Sequence, residues 1–114
     1  MTYEINSPPS DGQSIDAICE LLADDRRRFA VSALAEREPP VALVDLARDV
    51  AARKAETDVR DVPADRVEEV AASLHHHHLP KLDDYGGIAY DAETKAVDVA
   101  EIESLSRHVP AAER

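Results

Sequence analysis

Apolar residues recur along this chain in short stripes of helical period, interrupted by proline, glycine and acidic residues. Residues 1–13 hold Pro8, Pro9, Gly12 and small polar side chains and read as a mobile arm. Ser14 can cap a first helix, because Ile15, Ile18, Cys19 and Leu22 follow as one stripe. Asp24 is a second cap or a break. It opens a helix from about Asp25 to Glu36 with Phe29, Ala30, Ala33 and Leu34 inward, and Glu38-Pro39-Pro40 ends it. Val41 to Leu43 is a short extended stretch. A third helix opens at Asp45 or just before, with Leu43, Leu46, Ala47 and Val50 as its stripe, and runs to about Lys54 or Glu56. Residues 57–64 are a polar linker.

Asp65 is the expected cap of a fourth helix, with Glu68 three residues on as a weak capping box. Val67, Val70, Ala71 and Leu74 form its stripe, His75–His78 continue it, and Leu79 and Leu82 extend it. Pro80 lacks an N–H and is expected to kink or restart the helix. Asp83-Asp84-Tyr85-Gly86-Gly87 is a stop, with a glycine free to take positive φ. The period then changes to two. Ile88 alternates with Tyr90 and Val97 with Val99 around the turn Ala92-Glu93-Thr94, the signature of a β-hairpin. A last helix spans Ala100 to Val109 on Ile102, Leu105 and Val109, and 110–114 form a tail.

These elements predict a mainly α chain with a small β-hairpin, α+β in class, as a winged helix-turn-helix with an extra C-terminal helix. Residues 14–109 form its single domain.

Composition sharpens the picture. Of 114 residues, Leu, Ile, Val and Phe number 26, enough for a small core. No apolar run reaches a membrane span and no leader is visible, so a cytoplasmic protein with no membrane partner is expected. The single Cys19 excludes an internal disulfide and multi-cysteine zinc sites. The net charge is −11, with ten Arg against three Lys and nineteen Ala. Such acid-rich, lysine-poor chains look like proteins of salt-in halophiles. In molar salt the Debye length is ~3 Å, so the charge repels itself weakly. An ordinary acidic protein is the alternative.

The stretch Ser73 to Ile88 resembles the end of the recognition helix and the start of the wing in ArsR-like winged-helix regulators. His78-Leu79, Leu82, Tyr85-Gly86 and Ile88 fall on that pattern. Cys19 to Phe29 looks like the family's first-helix entry. Together they resemble the small haloarchaeal winged-helix domain, a largely uncharacterised group, over roughly residues 15–100. The resemblance implies the fold, and it implies DNA binding as an expectation. The chain departs from the metal sensors of that group, which use a cysteine pair. It also has Gly87 where an apolar residue is usual, which is expected to loosen the wing's start.

A winged helix reads double-stranded DNA with its recognition helix, here residues 65–79, and with its wing, here 88–99. The candidate contacts are Arg66, Ser73, His76 and His77 on the helix and Lys81 at its end. Lys95 sits after the wing turn, and Arg27 belongs to the one basic cluster, Arg26-Arg27-Arg28. Neighbouring residues on a helix point ~100° apart, so these three cannot share a face. One is expected to pair with Asp24, Asp25 or Glu20 while another reaches phosphate. Opposing contact, Asp65, Glu68 and Glu69 lie on the same helix. His75 and His78 could share a metal ion, but a stable zinc site wants three or four ligands, so no metal is assigned. One or two of the imidazoles are instead expected to pack against the core. No catalytic layout, phosphate loop, cofactor or small-molecule substrate is indicated, and the chain is read as a non-enzyme. The stripes Ile15/Ile18/Leu22 and Ile102/Leu105/Val109 suit a homodimer through the terminal helices. The competing reading is a winged-helix module that docks protein and not DNA.

Overall fold

The computed structural model describes residues 15–113. The expected arm 1–13, the Ser14 cap and residue 114 lie outside the described residues. Six α-helices occur in chain order: α1 (Ile15–Leu21), α2 (Asp25–Ala35), α3 (Leu43–Ala55), α4 (Ala64–Ser73), α5 (Leu79–Tyr85) and α6 (Ile102–Ser106). Three strands, β1 (Val41–Ala42), β2 (Ile88–Asp91) and β3 (Ala96–Val99), form an antiparallel sheet in the order β1-β3-β2. This is a mainly helical α+β fold of winged-helix type. The extended stretch after Pro40 is its third strand, pairing Val41 with Val97 and Ala42 with Ala96.

Helix α2 is the hub. The Asp24 carboxylate accepts from the Arg26 N–H at 2.8 Å and caps it, as the sequence implies. Five consecutive residues, Ala30 to Leu34, are buried, because α3 and α6 both pack on α2. A helix covered on several sides shows no single apolar stripe, so the expected face built on Phe29 was too narrow; Phe29 itself is only half-buried. Helix α3 keeps its expected stripe and ends with Glu56 in the left-handed region, φ 54.

The fourth helix departs from expectation at both ends. Asp65 is not its cap and the capping box does not form. The Pro63 carbonyl accepts the Arg66 and Val67 N–H groups, and the helix starts at Ala64. At Pro80 the expected restart occurs, by way of a π-turn. Leu74–His78 form a π-turn, closed by the Leu79 N–H on the Leu74 carbonyl, and the chain runs on as α5 to Tyr85. A π-turn widens the helix by one residue, which accommodates a ring that cannot donate. The helical run is therefore 64–85, longer than the expected 65–79. Gly86 at φ 100 closes it.

Gly87 does not loosen the wing. It is buried, its carbonyl accepts the Ala100 and Glu101 N–H groups, and a Cβ there would lie 2.6 Å from Leu105 Cδ1. The last helix is shorter than expected, Ile102–Ser106, although Ile102, Leu105 and Val109 are all buried. The expected tail contains a 3-10 turn, Ala111–Glu113, and Glu113 pairs with Arg28 at 2.6 Å. In α1 the stripe is only partly inward: Ile18, Leu21 and Leu22 are buried, whereas Ile15 is 60% exposed and Cys19 is exposed. Among the described residues no helix is long and apolar enough to cross a membrane.

Candidate nucleic-acid interface

The run 64–85 buries Val67, Val70, Leu74, His78, Leu79 and Leu82 against the core and leaves its opposite side open. The hairpin is locked to that run on both sides of one residue. Tyr90 Oη is hydrogen-bonded to His75 Nδ1 at 2.6 Å, and the Tyr90 N–H donates to Asp83 Oδ2 at 2.9 Å. Burial, then the nearby Asp91 charge, raises the Tyr90 phenol above its ordinary value, so Tyr90 stays neutral there. At the hairpin turn the Asp91 carboxylate accepts the Glu93 and Thr94 N–H groups, and these bonds hold its pKa below the ordinary value. Lys95 follows at φ 57. Sequence reasoning missed Asp83 and Tyr90 as orienting residues, since a cross-element bond leaves no trace in periodicity.

The expected contacts divide into two groups. Ser73, His76, His77 and Lys81 lie along the carboxyl half of the run, with His76, His77 and Lys81 exposed and Ser73 half-buried. Lys95 is exposed at the hairpin turn. Arg66 is exposed too but pairs with Glu69 at 3.3 Å.

Arg27 is a correction. It is buried, and its guanidinium donates to the Leu21 and Glu20 carbonyls and to His78 Nδ1 at 3.1 Å. A buried planar group with all three of its nitrogens engaged inside cannot reach a phosphate. The basic cluster as a whole is withdrawn, because Arg26 pairs with Glu69 at 3.7 Å and Arg28 with Glu113. Local pairing was expected, but with Asp24, Asp25 or Glu20, near in sequence. The partners lie on α4 and after α6.

Among the described residues, every Lys and Arg side chain has an ion pair or hydrogen bond except Lys81, Lys95 and Arg107. Two of these three stand at expected DNA contacts. Carboxylates are unevenly placed around them. Asp65 and Glu68 are exposed without ion partners at the amino end of the run, as are Glu93 and Asp98 on the hairpin. The long helix is thus acidic at its start, neutral to basic from Ala72 to Lys81, and acidic again at Asp83 and Asp84.

The four histidines do not act as a unit. His75 turns to Tyr90, His78 turns inward, and His76 and His77 stand edge-on to His75 and His78, with ring centroids 4.7 Å apart in each pair. Among the described residues no group of three or more His, Cys, Asp or Glu is arranged to hold a metal ion.

A family profile covers residues 19–98, from the end of α1 to the last strand of the sheet. The chain belongs to the family DUF7344, a domain of unknown function. The matched span includes the 64–85 run and the hairpin as far as Asp98, and stops short of α6. No curated protein and no solved structure matches the chain.

Proposed function

We propose that this DUF7344 chain is a DNA-binding regulator of transcription that works in concentrated salt. The carboxyl half of the 64–85 run enters the major groove and the hairpin turn rests on the backbone. The observation that carries the reading is the pair of unengaged cations, Lys81 and Lys95. Lys81 stands one turn before the end of the helical run and Lys95 just after the wing turn, with His76, His77 and Ser73 on the same run as uncharged hydrogen-bonding groups. The winged-helix layout and the resemblance to ArsR-like regulators support the same reading. In molar salt counterion release contributes little, so affinity comes from base contacts, apolar contacts and backbone amides. Cations held between carboxylates and phosphates offset Asp65 and Glu68.

A second reading has its own observation. The exposed carboxylates Asp65, Glu68, Glu93 and Asp98 suit a basic protein partner better than a polyanion. A gel-shift with genomic fragments in molar KCl separates the two. Discrete shifted fragments support the regulator. No shift in any salt, with a protein recovered on the acidic face, supports the docking module.

A further inference from the structure

A strip of apolar surface runs along one side of α1. Ile15, Ile18, Cys19 and Leu22 wall an open groove of about 710 Å³, and Arg107 and His108, just after α6, face them across it. Ile15 is 60% exposed, the most of any large apolar side chain among the described residues. Arg28 and Glu113 also reach the groove, but they neutralise each other at 2.6 Å. Arg107 is then a groove cation with no partner among the described residues, and no unpaired carboxylate on the groove wall answers it.

The chain itself carries the complement. Residues 1–14 lie outside the described residues and end on Ile15, at the wall of the groove. Met1, Tyr3 and Ile5 alternate with Thr2 and Glu4, so an extended stretch puts three apolar side chains on one face and a carboxylate on the other. Between this stretch and α1 stand Pro8, Pro9 and the Asp11-Gly12 pair, residues that reverse a chain. Five extended residues reach ~16 Å and Ile15 to Leu22 is ~10 Å of helix, so the stretch is long enough to cover the groove from end to end. Seating it removes apolar surface from water on both sides. A segment tethered at the groove wall also acts at an effective concentration on the order of millimolar, which favours it over a free partner.

We infer that residues 1–5 fold back into this groove, antiparallel to α1, with Met1, Tyr3 and Ile5 against Ile18 and Leu22 and Glu4 at the rim toward Arg107. The arm 1–13, read from its composition as mobile, thus has a seat on the domain and ties α1 to the turn after α6. The inference does not depend on DNA binding, and its test contains no DNA.

Cys19 is exposed on the groove wall and reports the cover. Its reaction with dithiobis-nitrobenzoate in the full chain, in molar KCl, should be several-fold slower than in the double variant Tyr3→Asp/Ile5→Asp, and independent of protein concentration. Circular dichroism should be the same for both, because neither position belongs to the described core. Thr2→Asp, on the outward face, should leave the wild-type rate unchanged. Equal rates in the wild type and the double variant would overturn the inference, and the groove would then stand open to another protein. So would protection that grows with protein concentration, the mark of a second copy seated on the terminal helices.

Discussion

The Arg27 guanidinium donates to Nδ1 of His78 at 3.1 Å, joining two residues 51 positions apart in the chain. Arginine has only donors, so Nδ1 must be the acceptor and His78 must be neutral, with its proton on Nε2. That nitrogen faces Asp24, the cap of α2, at 3.9 Å. Arg27 also holds the Leu21 and Glu20 carbonyls at the end of α1. One buried cluster therefore fixes the α1–α2 corner to the π-turn that precedes Pro80.

This cluster predicts a pH dependence. Burial holds His78 below its ordinary pKa of 6.5; Asp24 opposes the shift, and the Arg27 charge adds to it. The unfolded chain therefore binds a proton that the folded chain refuses. The stability contributed by neutral His78 is complete above about pH 6.5 and is lost as the pH falls through and below that value. Asp24 acts in the same direction at lower pH. Burial alone would raise it, but the Arg26 N–H and the neighbouring His78 and Arg27 outweigh burial and hold it below 3.8. Denaturant unfolding from pH 8 to pH 5 in molar KCl should show the loss. His78→Asn, which keeps an acceptor near the Nδ1 position without titrating, should flatten it.

Arg27→Met should destabilise the chain by about 1–3 kcal/mol, because it removes the donor to the His78 nitrogen and to the Leu21 carbonyl. DNA affinity of the folded variant should be unchanged, which separates this residue from Lys81 and Lys95. Chemical denaturation paired with fluorescence anisotropy measures both.

Gly87→Ala should cost about 1–3 kcal/mol through overpacking, since the added Cβ meets Leu105, a side chain with no exposed surface and no room to retreat. Thermal unfolding checks it. A neutral result would show that α6 shifts readily against the start of the hairpin.

Tyr90→Phe removes the hydroxyl bonded to His75 and should cost roughly 1 kcal/mol. It also frees the wing from one of its two links to the helix. Amide exchange across residues 88–99 should quicken, while exchange in α2 and α3 should not.

Much of the fold was legible because periodicity reports burial. The stripes of α3 and α4 and the alternation of Ile88/Tyr90 and Val97/Val99 placed every helix and strand that positions the candidate site. What was missed shares a cause. Pro80 rightly read as a kink or restart because proline cannot donate in an α-helix, but nothing local announces that a π-turn carries the helical run on to Tyr85. Asp65 read as a cap because it is a good capping residue, yet the helix starts one residue before it, at Ala64, with Pro63 in the cap position and no side-chain cap bond. Arg27 read as a surface cation because arginine usually is one. Only the tertiary meeting of α1, α2 and the π-turn shows that it is buried. For the candidate site, spacing could nominate Ser73, His76, His77, Lys81 and Lys95. Which cations remain unengaged depended on partners remote in sequence, such as Glu113 for Arg28.

The central claim is that the stretch Ser73 to Lys81 of the long helix and the hairpin turn meet DNA in brine. Fluorescence anisotropy of a selected fragment, followed as KCl is raised to molar concentration, tests it most directly. The wild type should keep its affinity or gain, and Lys81→Ala with Lys95→Ala should weaken binding to all fragments alike. His76→Ala should cost about 1–3 kcal/mol on the specific fragment alone, whereas Arg66→Ala, at the acidic amino end and paired with Glu69, should cost little. A steep fall of wild-type affinity with salt, or equal binding by the wild type, the lysine variants and His76→Ala, would contradict it.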